Sequence, residues 1–244
     1  MPVSDGAGTG GSTGAASDGA LLALRGVTKE YPGGVRALDG VDLEIRRGEL
    51  AAIVGPSGSG KTTLLQIMGT LDRPTAGHVL IAGIDAATAS DDELSALRGQ
   101  RLGFVFQQFY LLDGLSAVDN VAGGLLYTGV PLGERRDRAR EALERVGLGH
   151  RLSHHPNQLS GGEKQRTAIA RALVGRPEVV FADEPTGALD SRTGASIVDL
   201  LIELNAAGTT LVVITHDAAL ADSLPRQVAM RDGLIVSDTA LSTA

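Results

Sequence analysis

The chain has 244 residues, 22 Lys and Arg against 29 Asp and Glu, a net charge of −7 and no cysteine. Without cysteine there is neither a disulfide framework nor a thiolate-held zinc or iron–sulfur site, and the acidic balance argues against a general nucleic-acid binder. A bilayer-spanning helix needs about 20 consecutive apolar residues, whereas the apolar runs here, such as Ala20–Leu24 and Leu50–Val54, stop at five.

Residues 1–20 are almost entirely Gly, Ser, Thr, Ala and Asp. Such a stretch cannot bury enough apolar surface to offset its ordering entropy, so a disordered tail is expected. It has no Lys, no Arg and no apolar block, so no secretory leader is read there. From Leu21 the composition becomes globular. Leu21–Tyr31 and Val35–Ile45 read as strands, with turn signals at Pro32-Gly33-Gly34 and Arg47-Gly48. Leu50–Val54 suits a strand buried on both faces, and Leu64–Met68 a helix. His78–Ile84 and Arg101–Phe106 read as further strands. The middle, about residues 116–173, reads as mostly helical. Glu134–Val146 places Ala139, Ala142, Leu143 and Val146 on one face, with i,i+4 ion pairs Glu134–Arg138 and Glu141–Arg145 and a stop at Gly147. Alternation then resumes: strand Glu178–Ala182, helix Ser191–Ala206 with Ile197, Leu200, Leu201 and Leu204 as its stripe, strand Leu211–Thr215, and a hairpin around Asp232-Gly233. Strands alternating with helices predict an α/β fold with a parallel sheet, into which the helical block is inserted.

Three motifs carry chemistry. The first is Gly55-Pro-Ser57-Gly58-Ser59-Gly60-Lys61-Thr62-Thr63, between a buried strand and a helix. Glycines let backbone approach a triphosphate, the loop amides form an anion nest, and the helix N-terminus adds its dipole. Lys61 then bridges the β- and γ-phosphates, and Thr62 holds Mg²⁺. The second is Val179-Val-Phe-Ala-Asp183-Glu184, which puts two carboxylates at the carboxyl end of a parallel strand, where open α/β sheets bind ligands. Asp183 suits the Mg²⁺ shell, and Glu184 suits orientation or deprotonation of an attacking water. Alone, an Asp-Glu pair after a strand is more often a helix cap or surface turn. The third is Leu159-Ser160-Gly161-Gly162-Glu163-Lys164-Gln165. Ser160 and Glu163 make a capping box, and two glycines at a helix start make a second anion site. One nucleotide cannot easily use both sites of the same subunit. The isolated histidines His78, His150, His154 and His155 read as ordinary, since adjacent side chains diverge and no partner cluster is visible.

These residues, in this order, resemble the ATP-binding-cassette ATPases over about residues 21–238. The resemblance implies a phosphate-loop NTPase core with a parallel sheet, a small antiparallel β subdomain and a helical subdomain at about 108–173, with a tail at 239–244. Phe104-Val-Phe-Gln107 is similar to the family's Gln loop, Ala188-Leu189-Asp190 to its D-loop, and Ile214-Thr215-His216-Asp217 to its switch histidine. Tyr31 sits where the family places an aromatic under adenine. The implied mechanism is in-line attack of water on the γ-phosphate of ATP, with Gln107 sensing Mg²⁺ and the water and His216 contacting the γ-phosphate. Ser160, Gly161 and Gly162 are then supplied to the other subunit of a homodimer that sandwiches two ATP molecules head to tail. Phe104–Leu112, Asp119-Asn-Val and Asp183–Gly194 resemble the lipoprotein-release, macrolide-export and cell-division branch. Glu163-Lys164 for the commoner Gln-Gln, and Asp113 where Pro is usual, are departures.

The branch implies an ATPase on the cytoplasmic face of the plasma membrane. It would power a separate permease of few spans with a large extracytoplasmic domain, as an exporter or extruder. The other reading is a mechanotransmitting ATPase that switches a membrane or cell-wall partner without cargo. A soluble cassette of repair or translation would need two cassettes or a long coiled coil, and no sustained heptad is present.

Overall fold

The computed structural model describes residues 19–240, so the expected tail before Gly19 and the last four residues lie outside them. In chain order the elements are β1 (Ala20–Tyr31), β2 (Val35–Arg46), β3 (Leu50–Val54), α1 (Lys61–Met68), β4 (Ala76–Ile81), β5 (Ile84–Asp85), α2 (Asp91–Arg101), β6 (Leu102–Val105), α3 (Ala117–Ala122), α4 (Leu132–Arg145), α5 (Gly161–Leu173), β7 (Val179–Asp183), α6 (Ser191–Ala206), β8 (Thr210–Thr215), α7 (Ala218–Asp222), β9 (Arg226–Arg231) and β10 (Leu234–Asp238). Two sheets result. One is antiparallel, in the order β2-β1-β4-β5. The other runs β10-β9-β3-β8-β7-β6, and all its pairings are parallel except the β9–β10 hairpin.

The parallel strands are apolar on both faces because each face is covered by a separate core. Leu50 and Ala52, Val180 and Ala182, and Leu211 and Val213 face the core shared with α3–α6. Ala51 and Ile53, Val179 and Phe181, and Val212 and Ile214 face the core shared with α1, α2 and the antiparallel sheet. The period-2 alternation of a strand thus divides one apolar run between two cores. Phe181 is fully buried between β6 and β8, and truncating it to Ala costs about 3–5 kcal/mol.

The helical block between β6 and β7 packs α3, α4 and α5 on one another. The α4 stripe is as read, with Ala139, Ala142 and Leu143 buried, and Gly147 turns the chain at φ 78°. Arg138 reaches Glu134 at 2.6 Å. Glu141 pairs with Arg176 at 3.7 Å instead of with Arg145, because the chain after α5 brings Arg176 against α4. The single strand expected over 78–84 is two strands. Ala82 and Gly83 both adopt left-handed backbone, φ 48° and 84°, and fold β5 back on β4. The sequence reading passes over α2 and α7. Each carries a start signal: Ser90 and Glu93 form a capping box on α2, and Asp217 caps α7.

Candidate active site

Three adjacent strands, β3, β8 and β7, end on the same edge of the parallel sheet and deliver one motif each. β3 runs into the phosphate loop, β7 into Asp183 and Glu184, and β8 into His216. A cavity of about 390 Å³ opens there, lined by Ala37, the loop from Ser57 to Thr63, Gln107, Asp183, Glu184, Ile214 and His216.

The loop enters α1 through its N-cap, Gly60, which holds a left-handed φ of 99°. The free amides of the first helical turn therefore face the cavity mouth. Lys61 is buried, and its ammonium is folded onto the loop, donating to the carbonyls of Gly55 at 2.7 Å and Pro56 at 2.9 Å. Ser59 Oγ is buried and finds no partner among the described residues. The loop thus holds a cation and polar atoms that fit a phosphate, while its own carbonyls occupy the lysine.

Glu184 is held through both its backbone and its side chain. Its backbone is left-handed at φ 46°, and its N–H donates to the Ile214 carbonyl at 2.8 Å. One carboxylate oxygen lies 2.6 Å from His216 Nδ1 and accepts the His216 N–H at 2.9 Å. The other accepts the Thr215 hydroxyl at 3.0 Å. Thr215 was not singled out from sequence. It is buried, and its hydroxyl accepts the Asp217 N–H at 3.0 Å while donating to Glu184. Non-glycine residues keep such backbone only where the surroundings over-determine it, and here they aim the carboxylate. Burial pushes the Asp183 carboxyl above its ordinary range, and the charge of Glu184 adds to this, against the pull of Lys61. Asp183 is therefore a carboxylate in want of a cation. Gln107 follows β6 and packs its amide against Gly187, just beyond Glu184.

Thr62, Gln107 and Asp183 supply only hard oxygen donors to one cavity, which is the donor chemistry of Mg²⁺. Tyr31 does not line this cavity. It ends β1, where its hydroxyl lies 3.3 Å from Asp72 and the Lys29 ammonium sits 5.1 Å from its ring centre. The signature residues also lie elsewhere. Ser160 caps α5, with the Glu163 N–H donating to its hydroxyl at 3.3 Å and the Ser160 N–H donating to Glu163 at 2.8 Å. Gly161 abuts Leu189, and Gly162 abuts Thr193. Asp190 caps α6 through Thr193, accepting its N–H at 3.0 Å and its hydroxyl at 2.7 Å. Ser160, Gly161, Gly162 and Asp190 thus form one patch around the starts of two helices, and within the subunit this patch does not join the phosphate cavity. Gln165 ties the two regions together: its buried amide donates to the Pro185 carbonyl, next to Glu184, at 2.7 Å. Away from the site, His78 meets Asp85 at 2.8 Å, and His154 faces Arg151 at 3.0 Å.

A phosphate loop, a strand-end acid pair, a histidine and a separate Ser-Gly-Gly helix start define a P-loop ATPase of the cassette type. Residues 38–187 match the family model of the ABC transporter, and the chain belongs to that family as its ATP-binding component. The ABC transporter ATP-binding protein YknY of Bacillus subtilis, itself uncharacterized, is 49% identical over 219 residues, covering 88% of this chain and 95% of that protein. The macrolide export ATP-binding/permease protein MacB of Rhodopseudomonas palustris is 49% identical over 227 residues, covering 92% of this chain. The chain spans 35% of the length of that MacB. Among solved structures, the dimeric cassette MJ0796 in a post-hydrolysis state with ADP and Pi superposes with a TM-score of 0.80 at 45% identity, covering 89% of this chain and 97% of that one. The cbiO1 protein of Clostridium perfringens, part of the complex cbiONQ, superposes at 0.82 with 32% identity, covering 91% and 88%. The chain is an ATPase. Among the described residues no helix is long and apolar enough to cross a membrane.

Proposed function

We propose that this chain is the motor of an exporter or extruder of the macrolide-efflux and lipoprotein-release type. It would sit at the cytoplasmic face of the membrane against an integral permease with few spans and a large extracytoplasmic domain. The observation that carries the mechanism is the separation of the two anion sites. The phosphate cavity and the Ser160 patch belong to different parts of one subunit, so a second copy has to bring its Ser160, Gly161, Gly162 and Asp190 to complete each site. The dimeric form of the MJ0796 cassette supports that arrangement.

Within the site, Lys61 and the loop amides bind the β- and γ-phosphates. Glu184 orients the attacking water and takes up its proton. His216 meets the γ-phosphate and fixes Glu184. Thr62, Asp183 and Gln107 would hold Mg²⁺, which would supply charge neutralisation on the phosphate oxygens when bound. Tyr31 supports the adenine. The permease side of the reading is supported by the relatives named for macrolide and pyoverdine export. A groove of about 380 Å³ beside Phe104, Phe106, Tyr110 and Arg171, with Tyr110 and Leu112 exposed, could take an apolar partner segment.

The test is to purify a tagged Glu184→Gln chain with its membrane partners from the native host in ATP, and to identify them by mass spectrometry. A few-span protein with a large external domain is expected. A co-purifying cell-wall enzyme with no cargo would favour the mechanotransmitting alternative, and a soluble partner alone would overturn both.

A further inference from the structure

The phosphate loop is backed by a hairpin from the far end of the chain. β9 pairs with β3 in parallel from Ala51↔Arg226 to Val54↔Ala229, so Gly55 and Met230 are the next positions along the two strands, Gly55 leaving the sheet while Met230 stays paired with Ile235 of β10. A Cβ on Gly55 would lie 2.3 Å from the Met230 carbonyl oxygen. At the other end of the loop the Gly233 N–H donates to the Ser59 carbonyl at 3.1 Å, and the Gly233 carbonyl accepts the Asp39 N–H at 3.0 Å. Between them the Ala37 carbonyl oxygen lies 2.5 Å from where Gly60 would carry a Cβ and 2.9 Å from where Gly233 would carry one. Three segments meet there, and at Gly55, Gly60 and Gly233 the nearest atom to an added Cβ is a backbone carbonyl oxygen rather than the end of a flexible side chain.

We propose that the β9–β10 turn is the back wall of the phosphate loop and that Gly233 is a positioning residue for nucleotide binding. The reason lies in peptide planarity. The Ser59 carbonyl and the Gly60 N–H belong to one rigid trans unit and point in opposite directions. When Gly233 holds the Ser59 oxygen from behind, it sets the direction of the Gly60 amide, which lies in the phosphate cavity wall. The hairpin is itself anchored, because Arg226 donates to both carboxylate oxygens of Asp238 at 2.9 and 2.6 Å and to Glu49 at 2.8 Å. Gly233 touches no nucleotide; it acts through Ser59 and Gly60.

The test compares Gly233→Ala with Gly83→Ala. Both positions have left-handed φ, 78° and 84°, so the backbone strain is matched, but nothing lies within 4 Å of a Cβ at Gly83. ADP binding with Mg²⁺ is measured by calorimetry beside Tm. Gly233→Ala is expected to weaken ADP about tenfold, the worth of one misdirected amide–phosphate hydrogen bond, while Gly83→Ala lowers Tm and leaves ADP affinity unchanged. Wild-type affinity in Gly233→Ala, or an equal loss in both variants, overturns the proposal. Should Gly233→Ala fail to fold, amide exchange in the wild-type chain decides. ADP is expected to slow exchange at residues 230–234 and not at 82–83, and unchanged exchange at 230–234 overturns the proposal.

Discussion

Glu184 and His216 are joined twice, through the imidazole Nδ1 at 2.6 Å and through the backbone N–H at 2.9 Å, both to the same carboxylate oxygen. A carboxylate only accepts, so Nδ1 carries the proton. Glutamine at position 184 keeps an oxygen for both contacts but cannot take up a proton. Glu184→Gln is therefore expected to keep its Tm and its ATP affinity, to lower turnover about 10²–10⁴-fold, and to accumulate as a dimer in ATP by size exclusion. Rapid phosphate release by this variant would remove Glu184 from the role of base.

His216 is exposed, whereas the Glu184 side chain it holds is largely buried. His216→Ala retains the backbone N–H contact and loses the imidazole. Turnover is expected to fall about 100-fold, at the lower end of such losses, with Tm within about 2 °C of wild type, as suits an exposed site. Single-turnover hydrolysis of bound ATP distinguishes this from a defect in binding.

The Lys61 ammonium donates to the carbonyls of Gly55 and Pro56. Lys61→Ala removes both contacts and the charge proposed to meet phosphate. The unliganded chain is expected to lose about 1–3 kcal/mol in urea melts, because two loop carbonyls lose a charged donor. ADP binding by calorimetry is expected to vanish.

Burial, with Glu184 beside it, raises the Asp183 carboxyl above its ordinary pKa. A folded-state pKa above the unfolded one means that ionisation opposes folding. The Asp183 contribution to the stability of the unliganded chain is thus most favourable where its carboxyl is protonated, and it is lost as pH rises through the raised value. Asp183→Asn abolishes that loss. It is expected to raise the Tm of the unliganded chain at pH 7.5, to flatten its pH dependence above the ordinary carboxylate range, and to abolish ATP turnover with Mg²⁺. An unchanged or lower Tm at pH 7.5 would contradict the assignment.

Ser160 caps α5, and in the proposed dimer it also meets the partner's nucleotide. Aspartate caps as well as serine but carries charge. Ser160→Asp is expected to match wild-type stability and to lose ATP-driven dimerisation, since a carboxylate would face phosphate. Ser160→Ala is expected to lose about 1 kcal/mol in addition. Light scattering in ATP and urea melts separate the two tasks.

Much of this was legible in the sequence because it depends on neighbours along the chain. The strands Leu50–Val54 and Leu211–Thr215 and the helix Ser191–Ala206 follow from apolar run length, periodicity and caps. The phosphate loop, the Asp183-Glu184 pair and the Ser160–Glu163 capping box follow from spacing. The turn at Ala82-Gly83 was missed because Ala rarely adopts left-handed backbone, so the composition announces no turn. α2 and α7 were missed although Ser90, Glu93 and Asp217 mark their starts. Tyr31 and Asp190 could be placed on elements, but their distance from the phosphate cavity is not written in local pattern.

By itself the sequence determined the class of protein, an ATP-binding cassette, through a glycine loop ending in Lys61, acids at a strand end, and a Ser-Gly-Gly helix start. Only the tertiary structure decided which groups meet. Strand order β3-β8-β7 brings His216 to Glu184 across 32 residues, and the parallel register of β9 sets Gly233 behind Ser59. Both are contacts between segments that no local periodicity encodes. They arise because sheet pairing fixes register over the whole length of neighbouring strands, and the strand ends then carry their loops to fixed places.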